Sequence, residues 1–220
     1  MVPVYLKKIN FENPQIISLV KDVIAQDRLE PPRDRPHLEA RAKLPINPMK
    51  ADTSSDTEKT IELKRRFKRA KELHGERVKS FTQYALPKDI ETTIVSLLPE
   101  KIVRLDPTLS VQIVEGGMAL SPHKDHSRKS TMFYLLSTPD VETIWWEKSG
   151  EFEEFDDLKY ADPDKITPVF KEVIDKDMWY IFNNDRYHSI HRIGGNENRV
   201  SFHIEFNISA EELESVMSDD

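Results

Sequence analysis

The second half of the chain consists of short strand-forming runs separated by turn residues, and this succession restricts the fold more than any other feature. Runs of this length and spacing are typical of a β-sandwich or barrel. We therefore expect a mainly β core over residues 109–207. The eight predicted strands are Leu109–Glu115, Met118–His123, Thr131–Ser137, Glu142–Glu147, Pro168–Ile174, Met178–Asn183, His188–Ile193 and Arg199–Asn207.

The last predicted strand alternates apolar and polar side chains, so its two faces differ. The apolar face needs a cover, which helices can supply. The polar face then lines a cavity, because burying it without a ligand or partner is costly. The apolar set is Val200, Phe202, Ile204 and Phe206, and the polar set is Arg199, Ser201 and His203.

The first half of the chain is predicted to be helical. Asn13 is a suitable N-cap with Pro14 in the first turn of a helix. A second helix is expected over Glu58–Lys79 and a third from near Pro87. Residues 29–57 are rich in proline and charge, have no periodicity and are too long for an ordinary connector. They are either a surface loop or a flap beside a site.

We expect one domain over residues 1–220, with helices packed on one outer face of the β core. Residues 1–108 form its helical support and loop region, and residues 208–220 form a C-terminal tail. Net charge is −7, so a broad nucleic-acid surface is not expected. The basic run at 64–69 is the solvated face of a helix or a contact for an acidic partner. The apolar runs are too short for a membrane span, and we expect a cytoplasmic protein.

The densest cluster of candidate ligands is His123-Lys124-Asp125. Since the chain contains no cysteine, a metal here must be bound by imidazole and carboxylate. Residues i and i+2 of a strand point the same way, so His123 and Asp125 converge on one point. A later histidine, His188 or His191, is the third candidate; these two differ by three positions and face opposite sides of a strand. Two histidines and one carboxylate form the facial triad of non-heme iron sites.

These motifs resemble those of the Fe(II)/2-oxoglutarate-dependent dioxygenases, whose core is a double-stranded β-helix (jelly-roll, cupin-like). The resemblance covers residues 109–207 and is greatest to small bacterial and phage hydroxylases related to proline and aspartyl/asparaginyl hydroxylases. It favours His188 as the distal ligand. It implies that Fe(II), 2-oxoglutarate and O2 are used, with Arg199 and Ser201 binding the far carboxylate of 2-oxoglutarate.

Other site residues are predicted with less support from the pattern. Gln112 and Tyr134 are expected to contact 2-oxoglutarate or simply to line the barrel. Arg128 is expected to bind an anionic group of the substrate or to lie at the surface. Trp145 and Trp146 are adjacent and face opposite ways, so that one is core and the other, Trp146, lines the substrate site.

The resemblance implies hydroxylation of an amino acid, free or in a peptide, or of another small metabolite, with release of succinate and CO2. Two alternatives stay open. One is a cupin-type metal enzyme that does not use 2-oxoglutarate, which usually carries more histidines and a glutamate. The other is a β-helix that acts only as a binding module. The sequence does not indicate an oligomeric state.

Overall fold

The computed structural model describes residues 4–31, 61–62, 64–66, 68–69, 72, 82–114, 116, 120–125, 128–137, 141–154, 161–192 and 197–218. Their strands pair antiparallel in two sheets. The strands are β1 (Leu6–Ile9), β2 (Thr82–Tyr84), β3 (Thr108–Val114), β4 (Leu120–His123), β5 (Ser130–Leu135), β6 (Val141–Lys148), β7 (Ile166–Glu172), β8 (Trp179–Asn183), β9 (Tyr187–Arg192) and β10 (Arg199–Phe206).

The large sheet has the order β1-β8-β5-β10-β3-β2, and the small sheet has the order β4-β9-β6-β7. Strands that are distant in sequence are neighbours in both sheets, and the two sheets together form the jelly-roll core that the strand pattern predicts. Each of the eight predicted strands corresponds to one of β3 to β10, with ends that differ by at most two residues.

Helices cover the outer face of the large sheet, as the apolar face of β10 requires. They are α1 (Pro14–Ala25), α2 (Lys88–Leu97), α3 (Glu100–Val103) and α4 (Ala210–Ser218). The Asn13 side chain accepts a hydrogen bond from the Ile16 amide and begins α1. Ile16 and Val20 of α1 then pack in one cluster with Phe202 of β10.

Three elements differ from the sequence prediction. β1 and β2 lie in the half that was expected to be helical, and they extend the two edges of the large sheet. Both are too short to show an alternating pattern. The predicted C-terminal tail contains α4, whose Leu213 is buried in the helix-side cluster.

The predicted helix at 58–79 is described only in part, and its described residues between 61 and 72 are helical. Of the proline-rich segment 29–57, only residues 29–31 are described, and Glu30 forms an isolated bridge with Ala85. The prediction of a loop or flap therefore falls outside the described residues. Within the described part of the chain, every helix is too short or too polar to cross a bilayer.

Aromatic side chains fill part of the space between the two sheets. Trp145 of β6 contacts Phe182 of β8 at a centroid distance of 4.8 Å, and Phe182 contacts Phe133 of β5 at 5.7 Å. This apolar packing holds the sheets together and leaves the polar faces of β3, β4, β9 and β10 around the remaining interior. The candidate site lies there.

Candidate active site

His123 and His188 meet between the sheets because β4 pairs with β9, and Asp125 lies two residues past the end of β4, where its amide donates to the Asn184 carbonyl. His123 is the direct cross-strand partner of His188, and their rings lie 4.5 Å apart. Cross-strand partners share one face of a sheet, so both imidazoles point inward. One ligand atom from each of the three side chains lies within 4.8 Å of the other two, and His123 Nε2 is 3.8 Å from Asp125 Oδ1.

The chemistry of these three side chains fits a divalent metal. Three ligands that share one face of a metal, each about 2.1 Å from it and near 90° to one another, lie about 3 Å apart, so the cluster needs to contract by at most about 2 Å. The Nδ1 atoms of His123 and His188 lie 2.7 Å and 2.9 Å from the carbonyls of Ser121 and Arg186. A carbonyl can only accept, so each Nδ1 carries the proton and each Nε2 offers a lone pair to the interior.

The protonation states also suit metal binding. Burial, and then the neighbouring His123, lower the pKa of His188 to about 3, so its ring is neutral near pH 7. Burial alone would raise the pKa of Asp125, but the Arg128 guanidinium and the two imidazoles outweigh it and hold that pKa well below its usual range. The set therefore offers a neutral imidazole at His188 and a carboxylate at Asp125.

His191 lies on the opposite face of β9, where its Nε2 is 3.2 Å from Ser189 Oγ. The parity argument that separated His188 from His191 agrees with this placement. His191 is thus on the outer side of the small sheet and outside the cluster.

Arg199 and Ser201 lie on the inner face of β10. Arg199 is 4% exposed, and its guanidinium lies 5.8 Å from the centre of the Phe133 ring. Among the described residues no carboxylate pairs with it, and its Nε has no hydrogen-bond partner. Burial lowers the pKa of Arg199 to about 10, and no opposite charge offsets that shift. This is a buried cation for which the described part of the chain supplies no anion.

Gln112 also faces inward, as the cross-strand partner of Ser201. With its amide oxygen turned toward Arg128, it accepts from Nη2 at 2.6 Å. In this orientation Gln112 and Arg128 satisfy each other's hydrogen-bonding groups. Gln112 therefore lines the interior but also has a partner within the protein.

The predicted contact between Tyr134 and 2-oxoglutarate does not fit the structure. Tyr134 is the cross-strand partner of Phe202 and therefore lies on the helix-covered face of the large sheet. Its ring packs against Trp179 at 5.3 Å, and its hydroxyl donates to Asp177 at 3.3 Å. It lines a surface cleft of about 880 Å³ beside α1, on the far side of the sheet from His123.

The predicted role of Trp146 in the substrate site does not fit either. Trp145 is the cross-strand partner of His188, so Trp145 shares the inner face and Trp146 points outward. The Trp146 indole donates to Ser189 Oγ at 2.8 Å on the outer side of the small sheet. Adjacency correctly indicated that the two rings separate, but it could not tell which of them faces the interior.

Arg128 is neither at the surface nor available to a substrate. It is 6% exposed, and its guanidinium donates to Asp125 Oδ2 at 2.8 Å and to Glu205 Oε1 at 2.6 Å, in addition to Gln112. Glu205 was not among the site residues predicted from the sequence. Its position, on the polar face of β10 beyond His203, was the signal that could have indicated it.

The basic run at 64–69 contacts acidic groups of the same chain. Arg65 Nη2 donates to the buried Asp162, and Arg69 Nε donates to Asp164 at 2.7 Å. Arg66 is 2% exposed and lies 5.2 Å from the Phe152 ring centre. The prediction of a solvated helix face is therefore wrong for Arg66, which packs on the outer side of the small sheet.

Comparisons with known proteins give only distant likenesses. No family model matches the chain, and no curated protein matches it. Among solved structures, the Escherichia coli ribosomal oxygenase YcfD is similar with 14% identity and a TM-score of 0.39 over 64% of this chain and 37% of that one. A YcfD structure with cobalt and 2-oxoglutarate matches with 12% identity and a TM-score of 0.35 over 64% of this chain and 36% of that one.

A predicted oxalate decarboxylase from Thermotoga maritima is similar with 13% identity and a TM-score of 0.30, over 58% of this chain and 81% of that one. The matched part of YcfD is little more than a third of its length. The order and antiparallel pairing of the strands in the two sheets identify the jelly roll.

Proposed function

We propose that this protein is a metal-dependent oxygenase that uses Fe(II), 2-oxoglutarate and O2. The observation that carries the proposal is the pairing of the His123, Asp125 and His188 cluster with Arg199, a buried cation for which no described carboxylate is a partner. A metal alone does not require that cation. A cosubstrate with a keto acid at one end and a carboxylate at the other engages both.

The two ends of this site share an aromatic floor. Arg199 lies over Phe133, Phe133 contacts Phe182, and Phe182 contacts the His188 ring at 4.9 Å. A ligand that extends from the cluster to Arg199 is therefore held against apolar rings, which exclude water and strengthen the ionic contacts at both ends.

The charges buried between the sheets favour a dianion. In the described part of the interior, Asp125 and Glu205 are acidic while Arg128 and Arg199 are basic, so the formal charges cancel. A divalent cation alone would leave an excess of +2 in a region of low polarity, which is costly. 2-Oxoglutarate carries two negative charges and restores the balance. Metal and cosubstrate should therefore bind cooperatively.

The chain's own residues position and enclose the reactants. His123, Asp125 and His188 would hold Fe(II) and leave coordination positions open. Arg199 would pair with the far carboxylate through charge-assisted hydrogen bonds, with the Ser201 hydroxyl beside it. When bound, the iron supplies the activation of O2 that converts 2-oxoglutarate to succinate and CO2 and oxidises the substrate. The substrate class we propose, by the resemblance of the motifs, is an amino acid, free or in a peptide, or another small metabolite.

The cupin-type alternative would use an additional histidine and a glutamate as metal ligands. In the interior, His203 and Glu205 are residues of these two types. Both are already engaged, His203 with Ser201 at 2.7 Å and Glu205 with Arg128 at 2.6 Å. Neither belongs to the group of three converging ligand atoms. The arrangement therefore favours a three-residue metal site with open positions.

The test is formation of succinate from 2-oxoglutarate, with Fe(II) added anaerobically and O2 admitted afterwards. Many enzymes of this type turn over slowly without their substrate, so a candidate substrate is not needed. We expect succinate from the wild type, a loss of at least about 100-fold in His188→Ala, and no loss in the matched control His191→Ala, which lies three positions away on the outer face.

Two outcomes would overturn the proposal. A wild type that binds neither metal nor 2-oxoglutarate is a binding module. A wild type that binds metal but not 2-oxoglutarate belongs to the cupin-type alternative.

A further inference from the structure

A chain of buried hydrogen bonds connects the metal cluster to the anion site through two residues that neither role uses. Arg128 contacts Asp125 at one end, and His203 contacts Ser201 at the other. The two residues meet where Arg128 Nη1 lies 3.3 Å from His203 Nδ1. All four side chains are at most 7% exposed, so bulk water does not compete for these contacts.

The Arg128 half of this hydrogen-bonded chain determines which oxygen of Asp125 can bind a metal. Oδ2 accepts two hydrogen bonds, from Arg128 Nε at 2.8 Å and from Asn184 Nδ2 at 2.6 Å. Oδ1 is the atom that faces His123 Nε2. The carboxylate is thus held so that one oxygen points into the cluster and the other is satisfied by donors behind it, which orients a ligand before a metal arrives.

The His203 half of the hydrogen-bonded chain determines which way the Ser201 hydroxyl points. A guanidinium can only donate, so His203 Nδ1 is the acceptor of the Arg128 contact. A neutral imidazole then carries its hydrogen on Nε2, and this atom lies 2.7 Å from Ser201 Oγ. The serine oxygen therefore accepts from His203. The hydroxyl hydrogen is left to donate toward an anion beside Arg199, on the same face of β10.

We infer that Arg128 and His203 are positioning residues that form a hydrogen-bonded chain from Asp125 to Ser201. Arg128 presents a single oxygen of Asp125 to the metal, and His203 turns Ser201 into a donor for the cosubstrate carboxylate. The inference rests on the proposed metal and 2-oxoglutarate sites. It assigns functions to two residues that would otherwise only balance charge in the interior.

The two halves of this hydrogen-bonded chain, at His203 and at Arg128, can be tested separately. In each case the expected effect differs from that of a purely structural residue. His203→Leu removes the donor to Ser201, so the 2-oxoglutarate affinity of the metal-loaded protein should fall by about tenfold, while Co(II) affinity changes less than about twofold. His203→Gln should restore most of the affinity, because a glutamine amide can accept from Arg128 and donate to Ser201 in the same way.

Arg128→Lys keeps the positive charge between Asp125 and Glu205 but cannot make all the contacts of the guanidinium fork. We expect Co(II) affinity to fall by about 10-fold to 100-fold, as for other residues that orient a metal ligand, and the visible absorption bands of bound Co(II) to change. Arg128→Met is a harsher variant whose unfolding would not bear on the inference, so Arg128→Lys is the variant that decides it.

The measurements are a Co(II) titration by visible absorption and a calorimetric titration of 2-oxoglutarate into the Co(II)-loaded protein. The matched control is Ser130→Ala, which removes a buried hydroxyl on the neighbouring strand β5. This hydroxyl donates to the Ile208 carbonyl and takes no part in the hydrogen-bonded chain from Asp125 to Ser201. Its two affinities should equal those of the wild type. The effects of Ser201→Ala and His203→Leu on 2-oxoglutarate affinity should not add, because His203 acts on the cosubstrate only through the Ser201 hydroxyl.

The possible failures are distinguishable. If the wild type binds neither Co(II) nor 2-oxoglutarate, the proposed function is wrong. If the wild type binds both, and His203→Leu and Arg128→Lys fold and bind both ligands as tightly as the wild type, the inference is overturned. If His203→Gln is no better than His203→Leu, His203 acts by its shape rather than by its hydrogen bonds, and its positioning role is rejected.

Discussion

Replacement of Arg199 by methionine removes a buried positive charge and keeps an unbranched side chain of similar length over the Phe133 ring. A fall in the pKa of Arg199 from 12.5 to about 10 corresponds to about 3 kcal/mol by which the interior disfavours the charged form. The denatured chain hydrates this charge fully. Arg199→Met should therefore raise the free energy of unfolding of the metal-free protein, by up to about 3 kcal/mol.

The same substitution should abolish the response to ligand. At a 2-oxoglutarate concentration of about 100 times its Kd, the metal-loaded wild type gains about 2.7 kcal/mol. The variant should gain almost nothing, because the far carboxylate has lost its cation. Stability and ligand binding thus move in opposite directions, which is typical of a charge kept for binding rather than for folding.

Urea unfolding followed by tryptophan fluorescence measures both effects. With a slope of about 2–3 kcal/mol per molar urea, the midpoint of the metal-free variant should rise by about 1 M. The matched control is Arg104→Met, where an exposed arginine pairs with Glu100 on the same helix turn; its change should stay within about 0.5 kcal/mol. A variant that is less stable than the wild type, or that 2-oxoglutarate still stabilises, would refute the assignment of Arg199 as an anion site.

Three further predictions concern stability. Burial lowers the pKa of His188 to about 3 and lowers that of His203 as well, whereas an unfolded histidine titrates near 6.5. The folded state is therefore most stable above pH 6.5, where both rings are neutral in the folded and the unfolded chain, and it loses stability as the pH falls below 6.5. The free energy of unfolding of the metal-free protein, from urea titrations, should fall between pH 6.5 and 5 by up to about 1.4 kcal/mol per pH unit for each ring. His203→Gln should roughly halve this slope, and a flat profile would contradict the prediction. Asp162→Ala removes a buried carboxylate that accepts from Arg65 and from the Asp164 amide, and should cost about 0.5–2 kcal/mol, as the loss of a capping residue does; an unchanged stability would contradict this. Ile204→Ala, at a fully buried position between β10 and the helices, should cost about 2–5 kcal/mol, and a cost below 1 kcal/mol would show that this layer is loosely packed.

The β core was predictable because its signals are local. Turn residues separate the strands, and alternation along β10 places Phe202 toward the helices and Ser201 toward the interior. The convergence of His123 and Asp125 was predicted from their i, i+2 spacing, although β4 ends at His123 and Asp125 lies two residues beyond it. Their approach to His188 does not follow from spacing, since it depends on the pairing of β4 with β9 across about 65 residues of sequence.

The residues that were misplaced lie where local signals are ambiguous. β5 is covered by helices on one face and by the small sheet on the other, so both faces carry large apolar groups and its alternation does not show that Tyr134 points outward. Trp145 and Trp146 differ only by parity, and the register of β6 against β7 shifts between them. The functions of Arg128 and Arg65 depend on partners at positions 205 and 162, which no short-range pattern reveals.

The proposal that one interior binds a metal and a dianion together is tested most directly by the affinity of 2-oxoglutarate, measured by calorimetry with and without one equivalent of Co(II). We predict one Co(II) per chain, and 2-oxoglutarate bound at least about tenfold more tightly to the Co(II)-loaded protein than to the metal-free protein. Asp125→Ala should remove both the Co(II) binding and this enhancement. Equal affinity with and without Co(II), or no Co(II) bound by the wild type, would contradict the coupled site.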